Sequence, residues 1–223
     1  MIFYLIFIIL LVVIIFIFSS PQLSPIPYFP SQKIDLPKII KALNLKNNQT
    51  VFDLGAGDGV VIFEAAQSSF NNKLNTKFVA VEINPILILV LFFRRLFHHN
   101  RKNIKIIFDD IFKMNLDVIA RSRDPSLSLR ASAKQSHNDS SGQAPQSRKG
   151  IATLPLVARN DIVVYLYISP WYLEKTISNI KNQTLRFGGQ ISKFSVVSYM
   201  YPIKSFKNKE KIIQGKNRIF TYN

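Results

Sequence analysis

The chain predicts an α/β domain, a mostly parallel sheet covered by helices on both faces, with one membrane-spanning helix in front of it. Three observations lead there. Short β-branched and aromatic runs alternate with helix-patterned segments at the spacing of βα units. The stretch "VFDLGAGDG", residues 51–59, sets three glycines at alternate positions between such a strand and the following helix. Residues 1–18, "MIFYLIFIILLVVIIFIF", carry no charged side chain.

That first run, at 1.5 Å per residue, reaches about 27 Å, close to the hydrocarbon thickness of a bilayer. A cleaved signal peptide is the competing reading, but the run lacks a basic start and "SSPQLSP" is a poor cleavage site. Residues 1–19 are therefore expected to be an uncleaved anchor. Lys33, Lys38 and Lys41 follow it and nothing basic precedes it. The positive-inside rule then predicts a single-pass protein with its catalytic bulk in the cytoplasm, and the absence of cysteine agrees with a reducing compartment. Residues 20–32 form a linker containing "PIPYFPSQ".

Within 33–117 and 161–223 the elements follow in order. "QTVFDL" is a buried strand, "GVVIFEAAQSS" a helix and "KFVAVEI" a second strand. "NPILILVLFFRRLF" is a helix opened by Asn84 as N-cap with Pro85 at its first position. "NIKIIF" is a third strand and "DIVVYLYI" a fourth. The helix "WYLEKTISNIKNQ" ends before Gly188-Gly189, and the strands "QISKFSVVS" and "RIFTY" complete the pattern. Between the third and fourth strands, residues 118–160 turn rich in serine, alanine and arginine and lose all periodicity. Such a tract buries too little apolar surface to offset its ordering entropy and is expected to be a disordered insert. Its ends echo each other, "VIARSR" and "LVARND", and it resembles peptides translated from palindromic repeat elements. The functional alternative is a basic loop gripping RNA or substrate through Arg121, Arg123, Arg130, Arg148 and Lys149.

The net charge of +16 points to a polyanionic neighbour, membrane or nucleic acid. No basic cluster interleaved with aromatics tracks a nucleic-acid backbone, so nucleic acid is possible but not favoured. His98 and His99, without further ligand-type neighbours, read as surface residues, and no metal is expected.

The glycine turn lies where ligands of parallel sheets bind, at the carboxyl end of a strand. Its spacing excludes G-x-G-x-x-G and the phosphate loop G-x-x-x-x-G-K-[ST]. Acids on either side, Asp53 and Asp58, disfavour a phosphate and suit a cationic amino-acid ligand. Asp53-x-Gly55-x-Gly57-x-Gly59 resembles the first motif of class I S-adenosylmethionine (SAM) methyltransferases, which implies a Rossmann-like methyltransferase sheet and SAM as cofactor. The resemblance further implies that Glu82, ending "VAVEIN", receives the ribose hydroxyls on its two oxygens. It implies that an acid of "IIFDDIF" receives the adenine amino group, Asp110 with the Ile111 N–H facing the ring, while Asp109 caps the next segment, or the reverse.

A narrower resemblance covers most of the chain outside the insert. Pro27, Tyr28, Pro30 and Ser31, then Asp53 to Gly59, then Tyr167 to Pro170 are similar to the small, often membrane-anchored protein-lysine methyltransferases related to those acting on the ATP synthase c-subunit and the adenine nucleotide carrier. Val60 departs from that pattern, standing where the relatives carry a basic residue. The resemblance implies a membrane-associated protein lysine as methyl acceptor. It implies a catalytic region of Tyr28, Tyr167, Ser169, Pro170 and Trp171, with Tyr28, Tyr167 and Trp171 as aromatic pocket walls. Two rival readings stay open: an RNA or small-molecule methyltransferase of the same fold, and a non-catalytic SAM-binding protein disabled by the insert.

Overall fold

The computed structural model describes residues 1–19, 29–114, 161–186 and 194–223. The expected insert at 118–160, the Gly188-Gly189 break, Pro27 and Tyr28 lie outside the described residues.

Helix α1 spans Ile2–Ser19. The side chains described along it, Ile2 to Val13 and Ile15, are all exposed. Among the described residues no helix is long and apolar enough to cross a membrane, so the expected membrane-spanning helix is not supported by the structure.

The domain proper begins with a 3-10 turn, Lys33–Asp35, running into α2, Leu36–Leu43. Then come β1 Gln49–Leu54, α3 Val60–Asn71, β2 Lys77–Glu82, α4 Pro85–Leu96 and β3 Ile104–Phe108. After the undescribed stretch follow β4 Asp161–Leu166, α5 Pro170–Arg186, β5 Phe194–Tyr199, β6 Glu210–Gln214 and β7 Arg218–Tyr222. Among the described residues seven strands make one sheet in the order β3-β2-β1-β4-β5-β7-β6. The first five are mutually parallel, and β7 and β6 are antiparallel additions at one edge.

Helices cover both faces, because β1, β2 and β4 send buried side chains to both sides of the sheet. On one face Ile39 and Leu43 of α2, Ile62 and Phe63 of α3 and Leu91 of α4 pack over Val51, Phe78, Ala80 and Tyr165. On the other, Leu173, Ile177 and Ile180 of α5 pack over Phe52, Leu54, Val79 and Leu166. Strand order reverses between β1 and β4, where the chain ends of these two strands open a crevice above the sheet. Side-chain alternation puts Asp53, Glu82 and Tyr165 on the face shared by α2, α3 and α4. Asp53 and Tyr165 are direct register partners.

Two elements escape the sequence pattern. α2 is only eight residues long with a proline at its start, and β6 is a charged edge strand with most of its side chains in solvent.

Candidate functional site

A cleft occupies the crevice at the carboxyl ends of β1, β2 and β4. Its floor is the turn from β1 into α3. Gly55, Gly57 and Gly59 have φ of +77°, +59° and +76°, the left-handed region that a side chain disfavours. At Gly59 a Cβ would also collide with the side chains of Leu91 on α4 and Phe63 on α3, which pack closely over this turn. The turn is tied to the neighbouring strand by the Gly55 and Ala56 N–H groups, which donate to the Val81 carbonyl at 2.9 and 3.0 Å.

Carboxylates from three strand ends line the cleft: Asp53, Glu82 and Asp110. Asp53 is 2% exposed. Burial, reinforced by the charges of Glu82 and Asp58, pushes its carboxyl up to about 8, against the opposing pull of the Ile62 N–H. Glu82 is more committed than the sequence indicates. Its Oε2 accepts the Gly57 N–H at 2.8 Å, and its Oε1 accepts the N–H groups of Ile83 and Asn84, each at 2.9 Å. It therefore moulds the glycine turn, and each oxygen that would meet a ligand already serves the backbone. Of the two adjacent acids after β3, Asp110 lines the cleft, whereas Asp109 accepts the Asp110 N–H at 2.7 Å. Asp110 Oδ1 in turn accepts the Phe112 N–H at 2.9 Å, which fixes the turn carrying Ile111, another lining residue.

Asp58 is held from behind. Arg94 of α4 donates to its carbonyl at 2.6 Å and to its Oδ2 at 3.2 Å, with the guanidinium over the Phe63 ring. A basic group thus reaches the turn from another helix, although Val60 at the turn itself is apolar and lines the cleft.

The mouth is aromatic, with a composition that differs from the sequence expectation. Tyr167 lines it, its ring edge-on to Tyr199 and its hydroxyl donating to Met200 Sδ at 3.3 Å. Phe29, Tyr165 and Phe112 also line the cleft, and none of them stands out in the sequence. Tyr165 could be found there: it occupies the β4 position opposite Asp53 on the buried face. Burial raises its hydroxyl well above the ordinary tyrosine range, and Ser31 Oγ bonds it at 2.9 Å. This bond brings the Phe29–Ser31 segment over the cleft, so half of the upstream motif, Pro30 and Ser31, contributes to the lining.

Trp171 departs from expectation. It is 85% exposed at the start of α5 and is not part of the cleft lining, because the helix turns its apolar side, Leu173 and Ile177, to the sheet and leaves position 171 in solvent. Ser169 and Pro170 likewise open α5 outside the lining, with the Ser169 carbonyl accepting the Tyr172 N–H. His98, expected at the surface, is half-buried: one ring nitrogen bonds the Phe63 carbonyl and the other accepts the Asn100 N–H. Among the described residues no group of His, Asp and Glu is arranged to hold a metal ion.

No family model matches the chain. It is similar to the ATP synthase C-subunit lysine N-methyltransferase of Caenorhabditis elegans, with 31% identity over 108 residues, 45% of this chain and 54% of the relative. The match thus spans about half the length of that curated relative. Among solved structures, an RNA methyltransferase from Salinibacter ruber in complex with S-adenosyl-L-homocysteine superposes with a TM-score of 0.55 at 13% identity, covering 87% of this chain and 92% of its own. The METTL16 methyltransferase domain superposes at 0.51 and 9% identity, covering 87% and 68%. The resemblance read from the motifs is borne out, and the fold is the Rossmann-like α/β fold of class I SAM-dependent methyltransferases.

Proposed function

We propose that the protein is a SAM-dependent methyltransferase acting on a lysine of a membrane-associated protein, attached to that membrane through α1 with its catalytic domain on the cytoplasmic side. The observation that carries this reading is the convergence of Asp53, Glu82 and Asp110 with a glycine turn in one cleft at the strand-order reversal. The donor set fits the cofactor. Asp53 sits where a buried carboxylate would meet a cationic amino-acid portion, Glu82 where hydroxyls would compete for oxygens, and Asp110 beside the apolar side chains of Ile83, Leu87 and Ile111 that would flank a purine. Similarity to the lysine methyltransferase supports the acceptor class.

When bound, the cofactor supplies an electrophilic methyl group on a sulfonium. The protein's own task is to align a lone pair with that methyl and to keep water away. A lysine arrives charged, and with a reference pKa near 10.4 its deprotonation at pH 7 costs about 4 to 5 kcal/mol. Phe29, Tyr167 and Phe112 at the mouth lower that cost by desolvating the ammonium while their ring faces still tolerate a cation. Membrane attachment rests on the exposed apolar side chains of α1 and on Lys33, Lys38 and Lys41 beyond it. Confinement to the acceptor's own surface raises its effective concentration.

Full-length protein incubated with methyl-labelled SAM and a membrane extract should label a protein band, and acid hydrolysis should place the label on methyl-lysine. Asp53→Asn should abolish it. The net charge of +16 favours one second reading, an RNA acceptor; label recovered in RNA would establish it instead. Bound cofactor without transfer to either would leave a SAM-binding protein and refute catalysis.

A further inference from the structure

We infer that the outward face of α4 is a docking surface for an anionic lipid bilayer. Leu87, Ile88 and Leu91 are buried beneath this helix, yet Leu89, Phe92, Phe93, Leu96 and Phe97 are 48–70% exposed. A surface helix ordinarily turns polar side chains outward, and here both sides are apolar. Phe93 and Phe97, one turn apart, pack edge-on at 5.1 Å and form a ridge in solvent. Phe108, 62% exposed at the end of the neighbouring edge strand β3, shares the side of the sheet that α4 covers.

The rim decides what fits. Arg95, Arg101 and Lys102 border the same shallow recess as Leu89, Phe92, Phe93 and Leu96. From Ile83 to Phe108 the sequence has five basic residues and no acid. Arg94 turns inward to Asp58, while Arg95 and Arg101 bond only backbone carbonyls at the helix end, those of Arg101 and Leu96. Among the described residues neither of these two pairs with a carboxylate. An apolar ridge with a cationic border matches the layered chemistry of a lipid interface: rings enter the acyl boundary while guanidinium and ammonium groups meet phosphates. A second copy of this face would bring two cationic rims together, which opposes self-pairing. α4 begins at the cleft, whose lining includes Ile83 and Leu87. Docking through α4 therefore holds the cleft beside the bilayer, by a contact separate from α1 and independent of what the cleft binds.

The chain has no cysteine, so single nitroxide labels can be placed at Phe93→Cys and Phe97→Cys, with Lys211→Cys on β6 as a reference. The full-length labelled proteins are reconstituted with vesicles of phosphatidylcholine alone or mixed with phosphatidylglycerol, and accessibility to oxygen is compared with accessibility to a water-soluble nickel chelate. The expected result is a severalfold rise in the oxygen-to-nickel ratio at positions 93 and 97, only on the anionic vesicles, with no change at 211. High salt should reverse the rise, as should Arg95→Glu, Arg101→Glu and Lys102→Glu combined. Positions 93 and 97 as open to nickel as 211 on every vesicle would overturn the inference. Shielding without anionic lipid, or spin–spin broadening between copies, would overturn it equally. Failure of methyl transfer bears on none of these readouts.

Discussion

Asp53 faces the cleft with its carboxyl raised to about 8, so near neutral pH the native protein holds a proton there that the unfolded chain has released. Two consequences follow from linkage. Its contribution to stability is present below about pH 4 and is lost as pH rises toward about 8, since only the unfolded state is ionised across that window. Binding of a cationic ligand favours the carboxylate and therefore expels the proton. Titrating full-length protein with SAM at pH 7 in buffers of different ionisation enthalpy should reveal proton release that fades above about pH 8 and vanishes in Asp53→Asn. Identical heats in both buffers would show that the proton stays. The sequence made Asp53 legible through its place before the glycines, but its protonation depends first on burial and then on the proximity of Glu82 and Asp58, which only the folded turn creates. Glu82 carries the same lesson: its position at a strand end can be read from the chain, whereas its three backbone donors cannot. Trp171 failed for the opposite reason. An aromatic at a helix start looks like a pocket wall until the helix's rotation is known, and that rotation is set by Leu173 and Ile177.

Among the elements, α4 was the most legible, because Asn84 and Pro85 mark its start chemically. Asn84 Oδ1 accepts the N–H groups of Ile86 and Leu87 at 2.9 and 3.3 Å, as an N-cap should. Its Nδ2, however, is buried without a hydrogen-bond partner, and such an orphan donor costs about 1–3 kcal/mol. Asn84→Ser keeps an acceptor oxygen and removes the orphan. It should thus leave thermal stability unchanged or raised, and should exceed Asn84→Ala, which removes the cap along with the same orphan, by about 1 kcal/mol in denaturant unfolding. Equal losses in both would mean that the amide has a role the cap does not explain. α2 and β6 stayed hidden for physical reasons. A short helix gains its stability from packing rather than propensity, and an edge strand such as β6 needs only one partner and can remain charged. The first pattern is too brief to stand out, and the second is both brief and polar.

At the scale of the molecule, strand and helix order could be read from the alternation, but the joining of distant parts could not. Asp35, 1% exposed, receives the Tyr199 hydroxyl at 2.7 Å and the N–H groups of Lys216 and Asn217 at 2.6 and 2.9 Å. Burial alone would raise its carboxyl, but the Asn217 amide, the Tyr199 hydroxyl and the Lys216 amide outweigh it and hold it below the usual range. The stability it contributes is therefore present above about pH 4 and lost as pH falls through the lowered value. Asp35→Ala should destabilise the fold by about 2–4 kcal/mol at pH 7, and the difference from the parent should shrink in acid unfolding series. A constant difference down to low pH would place the effect elsewhere. This carboxylate fastens the chain just after Phe29–Ser31, the segment over the cleft, to the turn between the last two strands. In a ribosome-bound nascent chain the β6–β7 hairpin emerges long after this front segment, so the fastening by Lys216 and Asn217 is missing until that hairpin is out. Removing the turn between β6 and β7, none of whose residues lines the cleft, would unmoor its cover, and ligand binding by such a protein would report on that turn as faithfully as on the cleft itself.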